Sequence, residues 1–240
     1  MMLFEWEASG PYRIAFSSRL GGVSEGPYES LNLGLLTADE PERVRENRRL
    51  LCERVGADAD TATMAMQMHG ARVTRGDRRG VAGPGAPFEP CDGLWTDEPG
   101  EALMLIAADC LPVALCRRNG SPALAVLHVG WRGLLAGIAE AGARVLGDES
   151  LAAAIGPGIG PCCYEVGEEV AQPFRERFGD GVVRARNLDL PEAAERALRE
   201  ARVESVERTD LCTACRPELF FSHRRDGGVT GRQGVIGYVA

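Results

Sequence analysis

The chain has 240 residues, 45% of them hydrophobic and 26% charged, with 27 basic against 35 acidic side chains and a formal net charge of −8. This size supports a full core in one large domain or two small ones, whereas the acidic balance excludes a generic nucleic-acid surface and the lack of a long apolar run excludes a membrane span. Every basic residue is arginine, which excludes P-loop lysine, Schiff-base and pyridoxal-phosphate chemistry and leaves phosphate to arginine, backbone N–H groups or metal.

The N-terminus, Met1 to Glu7, carries acid where a signal peptide needs base, so a cytoplasmic protein is expected, its eight cysteines mostly thiols. Residues 11–36 read as short strands and turns around the loop Gly21–Pro27. A helix follows, with Asp39 as N-cap, Pro41 in its first turn, Val44, Leu50, Leu51 and Val55 as apolar positions, and Gly56 as its stop. Residues 77–92, rich in glycine and proline, read as a surface loop between two strands. The apolar runs 102–108, 112–116 and 123–127 are expected to be buried central strands. Leu134, Leu135, Ile138, Ala141 and Val145 then recur at helical spacing up to Gly147, and Leu151–Ile155 is a strand. Helices over about 168–178 and 191–201 and strands at 182–186, 203–208 and 235–239 complete the pattern. No internal repeat or long linker divides the chain, so residues 1–240 are expected to form a single domain.

Only three histidines occur, and two of them lie in segments suited to chemistry: Gln67-Met68-His69-Gly70 and His128-Val129-Gly130-Trp131-Arg132-Gly133. With Cys110 of Ala108-Asp109-Cys110-Leu111-Pro112 they make a trio of nitrogen and sulfur donors, the number a catalytic zinc takes from protein while keeping its fourth position open. Taken singly, a strand-end cysteine or a lone histidine is more often a core residue. The glycine or proline beside each favours the joint reading, since a ligand or metal requires close backbone approach. Arg132, between a strand and a helix, is suited to gripping an anion together with backbone N–H groups, or is simply solvated. Arg224 and Arg225 either bind phosphate or order their loop with Asp226. Arg19, Asn32 and Asn47-Arg48 form a similar polar set.

The turn Gly156–Pro161 fails the dinucleotide fingerprint, because its third glycine position is Pro161 and no helix follows directly. Adjacent Cys162 and Cys163 are expected to pack in core or loop rather than form a strained disulfide. Cys212-x-x-Cys215 is a single pair, best read as structural.

These segments together resemble the YfiH family, also called laccase-domain, polyphenol oxidase or FAMIN-like proteins. The resemblance runs from Ser18–Ser24 and Ser30–Gly34 through the His69, Cys110 and His128 motifs to Ile155–Gly167 and Phe220–Arg232, covering nearly the whole chain. It implies an α/β (α+β) domain of mixed β-sheets flanked by helices, similar to the cysteine-hydrolase fold of CNF-type toxin deamidases. It also implies zinc on His69, Cys110 and His128, with purine nucleosides and inorganic phosphate as partners, no nucleic acid or membrane, and a monomer or homodimer. The implied activity is phosphorolysis of adenosine, inosine, guanosine and methylthioadenosine, with adenosine deamination. His69, Cys110, His128 and Asp109 would then be catalytic, and Arg19, Asn32, Arg132, Glu165, Arg224 and Arg225 would hold substrate. The deaminase H-x-E is missing after His69, so Asp109, Glu165 or another carboxylate must shuttle the proton. Val129 stands where alanine is usual and His223 where tyrosine is common, so His223 is not expected as an obligatory ligand.

Three rival readings remain at this stage. A copper centre could use the same trio with Met66, Met68 or Met104 as axial ligand, although three histidines cannot build a laccase's trinuclear cluster. A metal-free hydrolase or deamidase would use Cys110 as nucleophile and His128 as base. A binding protein would keep the pocket alone.

Overall fold

The computed structural model describes residues 1–81 and 89–240, and in it the apolar runs become the middle of two sheets laid face to face. One sheet runs, in spatial order, β1 (Leu3–Glu5), β2 (Tyr12–Ser17), β13 (Gln233–Val239), β6 (Leu103–Ala107) and β3 (Thr63–Met64). The other runs β12 (Val203–Arg208), β9 (Leu151–Ile155), β7 (Leu111–Arg117), β8 (Leu124–Val129), β5 (Gly93–Thr96) and β4 (Val73–Arg75). Both are mixed: β3–β6, β9–β12 and β4–β5 pair parallel, and the other neighbours antiparallel.

Strand alternation sorts the side chains into layers. Leu111, Val113 and Leu115 of β7 face α2 (Trp131–Leu135), α3 (Ile138–Leu146), α4 (Glu168–Phe178) and α5 (Leu190–Glu200), in a core with Leu134, Ile138, Phe174 and Ala197. Ala114 and Cys116 point the other way and join Ile14, Phe16, Leu105 and Val235 between the sheets. A third cluster, with Ala15, Met104 and Ile236, packs on Leu51 and Cys52 of α1 (Pro41–Val55). The order of layers is helix, sheet, sheet, helices, which agrees with the expected mixed α/β class. Because β6, β7 and β8 are covered on both faces, their sequences read as unbroken apolar runs rather than alternation.

Several local expectations are corrected. The helix expected after His128 is two helices, broken at Gly137, whose φ of 92° lies in the left-handed region that favours glycine. The break resets the helical phase, so Ala139, Ala143 and Leu146 are buried while Ala141 and Val145 are only partly covered. Asp39 does not cap α1: Glu40 holds that position without a side-chain bond, and the Asp39 carboxylate accepts from Ser24 and Asn32 instead. The strand expected at 182–186 is a tight hairpin, β10 (Val183–Arg184) with β11 (Asn187–Leu188), turned at Ala185 with φ 54°. The loop expected over 77–92 lies partly outside the described residues. Its described flanks are exposed at Asp77, Arg78, Arg79 and Pro90, as expected of a surface loop between β4 and β5, and turn inward at Val81, Cys91 and Asp92.

Candidate metal centre

His69 and Cys110 come from connections and His128 from a strand, and they meet at one end of the double sheet. β8 carries Leu124, Val126 and His128 on its inter-sheet face, so His128 sits where that layer opens. β6 ends in one sheet and β7 begins in the other, and the short link Ala108-Asp109-Cys110 crosses between them with Asp109 at φ 93°. His69 follows β3 in a turn where its own φ is 60°. The ligand atoms of the three side chains all lie within 4.8 Å of one another, and the two imidazoles meet edge-on with centroids 4.8 Å apart. Gly130 is required by this crowding: a Cβ there would stand 3.0 Å from Cys110 Sγ and 3.3 Å from His69 Cδ2.

Asp92 holds the arrangement. It precedes β5, which pairs with β8, so the His128 amide donates to its carbonyl at 2.7 Å and the two side chains lie side by side. His128 Nδ1 lies 2.9 Å from Asp92 Oδ1, leaving Nε2 for Cys110. The same buried carboxylate accepts the backbone N–H groups of Met68 (3.0 Å), His69 (2.8 Å) and Gly70 (2.7 Å). One acid therefore orients one imidazole and fixes the turn carrying the other, as outer-shell carboxylates do around metal-bound histidine. Burial alone would raise its pKa, but His128 and those N–H groups outweigh it and hold Asp92 below the usual carboxylate range. Sequence reasoning missed Asp92, whose partner His128 is distant along the chain.

Burial also opposes ionisation of Cys110 and His128, yet each stabilises the other's charge. Burial pushes the thiol up, but the charge and hydrogen bonds of His128 and His69 bring it down to about 6. Burial disfavours the imidazolium, but Cys110 and Asp92 carry His128 up to about 9. Both shifts favour a thiolate–imidazolium pair in the metal-free site, and a metal bound there would compete with the proton on His128. The donor set fits zinc, with two imidazoles and a thiolate converging and no fourth protein ligand among the described residues. In metal-stripped protein, alkylation of Cys110 by iodoacetamide should rise through pH about 6 and precede that of Cys52 and Cys116, whose thiols burial pushes up to about 12. Peptide mass spectrometry across a pH series measures this; a rise only in the ordinary thiol range would refute the ion pair.

The trio opens into a cavity of about 790 Å³. Met66, Ile106, Ile159 and Leu190 supply apolar wall, Trp131 and Tyr164 aromatic wall, and Arg132, Arg224, Arg232 and His223 polar edge. The expected substrate residues divide into two sets. Arg132 lines the cavity with its guanidinium over the Trp131 ring at 4.4 Å. The helix it opens has barely more than one turn. Arg224 also lines it, donating to the Glu165 carbonyl at 2.8 Å and lying over Tyr164. The others serve the scaffold. Arg19 donates to the carbonyls of Glu29 and Pro217 and stacks on Phe221. Asn32 is buried among Thr37, Asp39, Gly34 and Arg232. Arg225 is tied to Asp226, Thr213 and Phe220. Glu165 pairs with Arg186 at 3.1 Å, outside the cavity lining.

Asp109, expected as a proton shuttle, lines the cavity with both oxygens engaged: Oδ1 accepts from Thr213 Oγ1 at 2.6 Å and Oδ2 from the Arg224 N–H at 2.7 Å. It ties the two loops beside Cys110 together. Arg232 lines the cavity without having been singled out in the sequence; its guanidinium donates to Thr230 and Gly231. Met66 lines the cavity, whereas Met104 is buried in the α1-side core and does not.

A family model described as multi-copper polyphenol oxidoreductase laccase matches residues 13–239. The purine nucleoside phosphorylase YfiH of Shigella flexneri is 35% identical, the match covering 95% of this chain and 94% of that protein. The purine nucleoside phosphorylase YlmD of Geobacillus stearothermophilus is 37% identical, covering 96% and 94%. The crystal structure of the latter's YlmD superposes with a TM-score of 0.90 over 98% of this chain and 94% of that one, at 33% identity. The structure of Bacillus licheniformis YfiH gives a TM-score of 0.88 over 95% and 93%, at 32% identity.

Proposed function

Since the chain belongs to the laccase-domain family that includes YfiH and YlmD, we propose that it is a zinc-dependent purine nucleoside phosphorylase acting in the cytoplasm. One observation carries this reading: an N/S metal-ligand trio opens into a cavity with aromatic walls and an arginine edge. His69, Cys110 and His128 would hold the metal, and zinc bound there supplies Lewis-acid polarisation of an oxygen. Trp131, Tyr164 and Ile159 offer flat and apolar surface for a purine. Arg132 and Arg224 would orient phosphate, whose oxygen attacks ribose C1′ as the bond from C1′ to purine N9 breaks, giving free base and ribose 1-phosphate. The departing base needs a proton. His223 and the Tyr164 phenol both line the cavity, and burial keeps that phenol protonated by pushing it up to about 12. Adenosine, inosine, guanosine and methylthioadenosine are the proposed substrates, with adenosine deamination in the same cavity.

Metal analysis of the purified protein, followed by product identification with and without phosphate, tests the reading. Inosine should give hypoxanthine only when phosphate is present, and adenosine should give adenine with phosphate and inosine by deamination. Hypoxanthine release indifferent to phosphate would refute phosphorolysis, and copper with phenol turnover would refute zinc. Arg132→Ala and Arg224→Ala should each raise the KM for phosphate roughly 10- to 100-fold, the loss of a charge-assisted contact of about 1.5–3 kcal/mol. Comparable rises for the nucleoside alone would place these arginines elsewhere in the reaction.

The hydrogen-bonded series Asp92, His128, Cys110 favours a second reading, in which Cys110 is a nucleophile and His128 its base. Full activity after zinc removal, abolished by iodoacetamide, would select it.

A further inference from the structure

A second thiol-rich cluster lies in the turn after β9 and the segment after β12. β9 and β12 run parallel, and their pairing continues past both ends through the bridge between Gly158 and Cys212. Thr209 donates to the Ile155 carbonyl and Thr213 to the Gly158 carbonyl, so the turn after β9 and the segment after β12 lie together. This brings the adjacent Cys162 and Cys163 onto Cys212 and Cys215, although the pairs are separated by some fifty residues of chain. The four sulfurs all lie within 4.8 Å of one another, and Cys215 Sγ is 3.4 Å from both Cys162 Sγ and Cys163 Sγ. None of the four forms a disulfide.

From this geometry we propose that Cys162, Cys163, Cys212 and Cys215 bind one zinc ion as a closed, structural tetrathiolate site, separate from the His69, Cys110 and His128 centre. A tetrahedral ion with zinc–sulfur bonds of about 2.3 Å places its sulfurs about 3.8 Å apart, a spacing inside the range found here. Disulfide sulfurs lie at about 2.0 Å, well below it. Four ligands leave no open position, as expected of a structural rather than a catalytic zinc. The Gly160 N–H donates to Cys212 Sγ at 3.3 Å, the contact that orients and stabilises a metal-bound thiolate. Soft thiolate donors select zinc over magnesium or calcium. The ion would lock the turn after β9 to the segment whose Thr213 hydroxyl holds Asp109, the neighbour of Cys110.

Metal content and thiol protection of the full chain test the proposal. Zinc-replete protein should hold one more equivalent of zinc than a Cys212→Ser/Cys215→Ser variant, with the zinc on His69, Cys110 and His128 retained. Cys162 and Cys215 are exposed to solvent. Maleimide should nevertheless leave all four cysteines unmodified until a chelator extracts the zinc, and cobalt(II) in its place should give intense sulfur-to-cobalt absorption that the variant lacks. The protection measurement needs only the wild-type chain, so it decides even if the variant fails to fold. Free alkylation of these cysteines in zinc-replete protein, a disulfide among them, an unchanged zinc count in the folded variant, or iron with its colour in place of zinc would each overturn the assignment.

Discussion

Cys110→Ala should cost the protein the metal at His69 and His128 together with its phosphorolytic activity. In the proposed zinc site the thiolate would be the charged ligand, and its removal would leave two neutral imidazoles to hold a dication. Removing several kcal/mol of transition-state stabilisation corresponds to a loss in kcat/KM of about a thousandfold or more. The fold should survive, because Cys110 lies in the link before β7 rather than in the packed layers. Replacing such a side chain costs about 1 kcal/mol, or a fall in Tm of about 2–4 °C for a chain of this size. Metal analysis and inosine assays on the folded variant measure this. Retention of both the metal and activity would refute the site.

Asp92→Asn should be the second most damaging change, although Asp92 touches neither metal nor substrate. The asparagine keeps the shape but replaces one acceptor oxygen with an NH2 group. It cannot receive the Met68, His69 and Gly70 amides while also orienting His128 Nδ1. An outer-shell loss of this kind lowers metal affinity by about 10- to 100-fold. Leaving a buried amide unsatisfied costs a further 1–3 kcal/mol or so of stability. The native carboxylate's pKa is depressed. Its stabilising contribution is therefore present at neutral pH and disappears as acidification protonates the folded state; the variant should lose that acid sensitivity. Competitive chelator titration and thermal melts across pH would show the effect. Metal affinity equal to the parent's would mean that Asp92 serves the turn alone.

The residues differ in how openly they announced these roles. The central strands were readable because burial on both faces makes β6, β7 and β8 apolar throughout. The trio was readable because histidine is scarce and both site histidines are followed by glycine-containing segments. Asp92 was not, since its role comes from the β5–β8 pairing and no local pattern marks it. Gly137 was invisible as a break, since a glycine in an apolar, helix-period stretch reads as a tolerated cost. The polar set Arg19 and Asn32 shared composition with a ligand site but is consumed by backbone carbonyls and amides. The two cysteine pairs each looked structural alone, and only the parallel run of β9 and β12 puts them in contact.

The crossing at Ala108-Asp109-Cys110 also constrains how such a chain can evolve. The link joins strands in different sheets, so one added or lost residue would displace Cys110 and shift β7 by a step. Leu111, Val113 and Leu115 would then turn toward the opposite sheet, and Ala114 and Cys116 toward the helices. A length change here would displace a candidate metal ligand and a core layer in the same event, and no single later substitution would repair both. This connection should therefore tolerate replacement of its side chains better than a change of length.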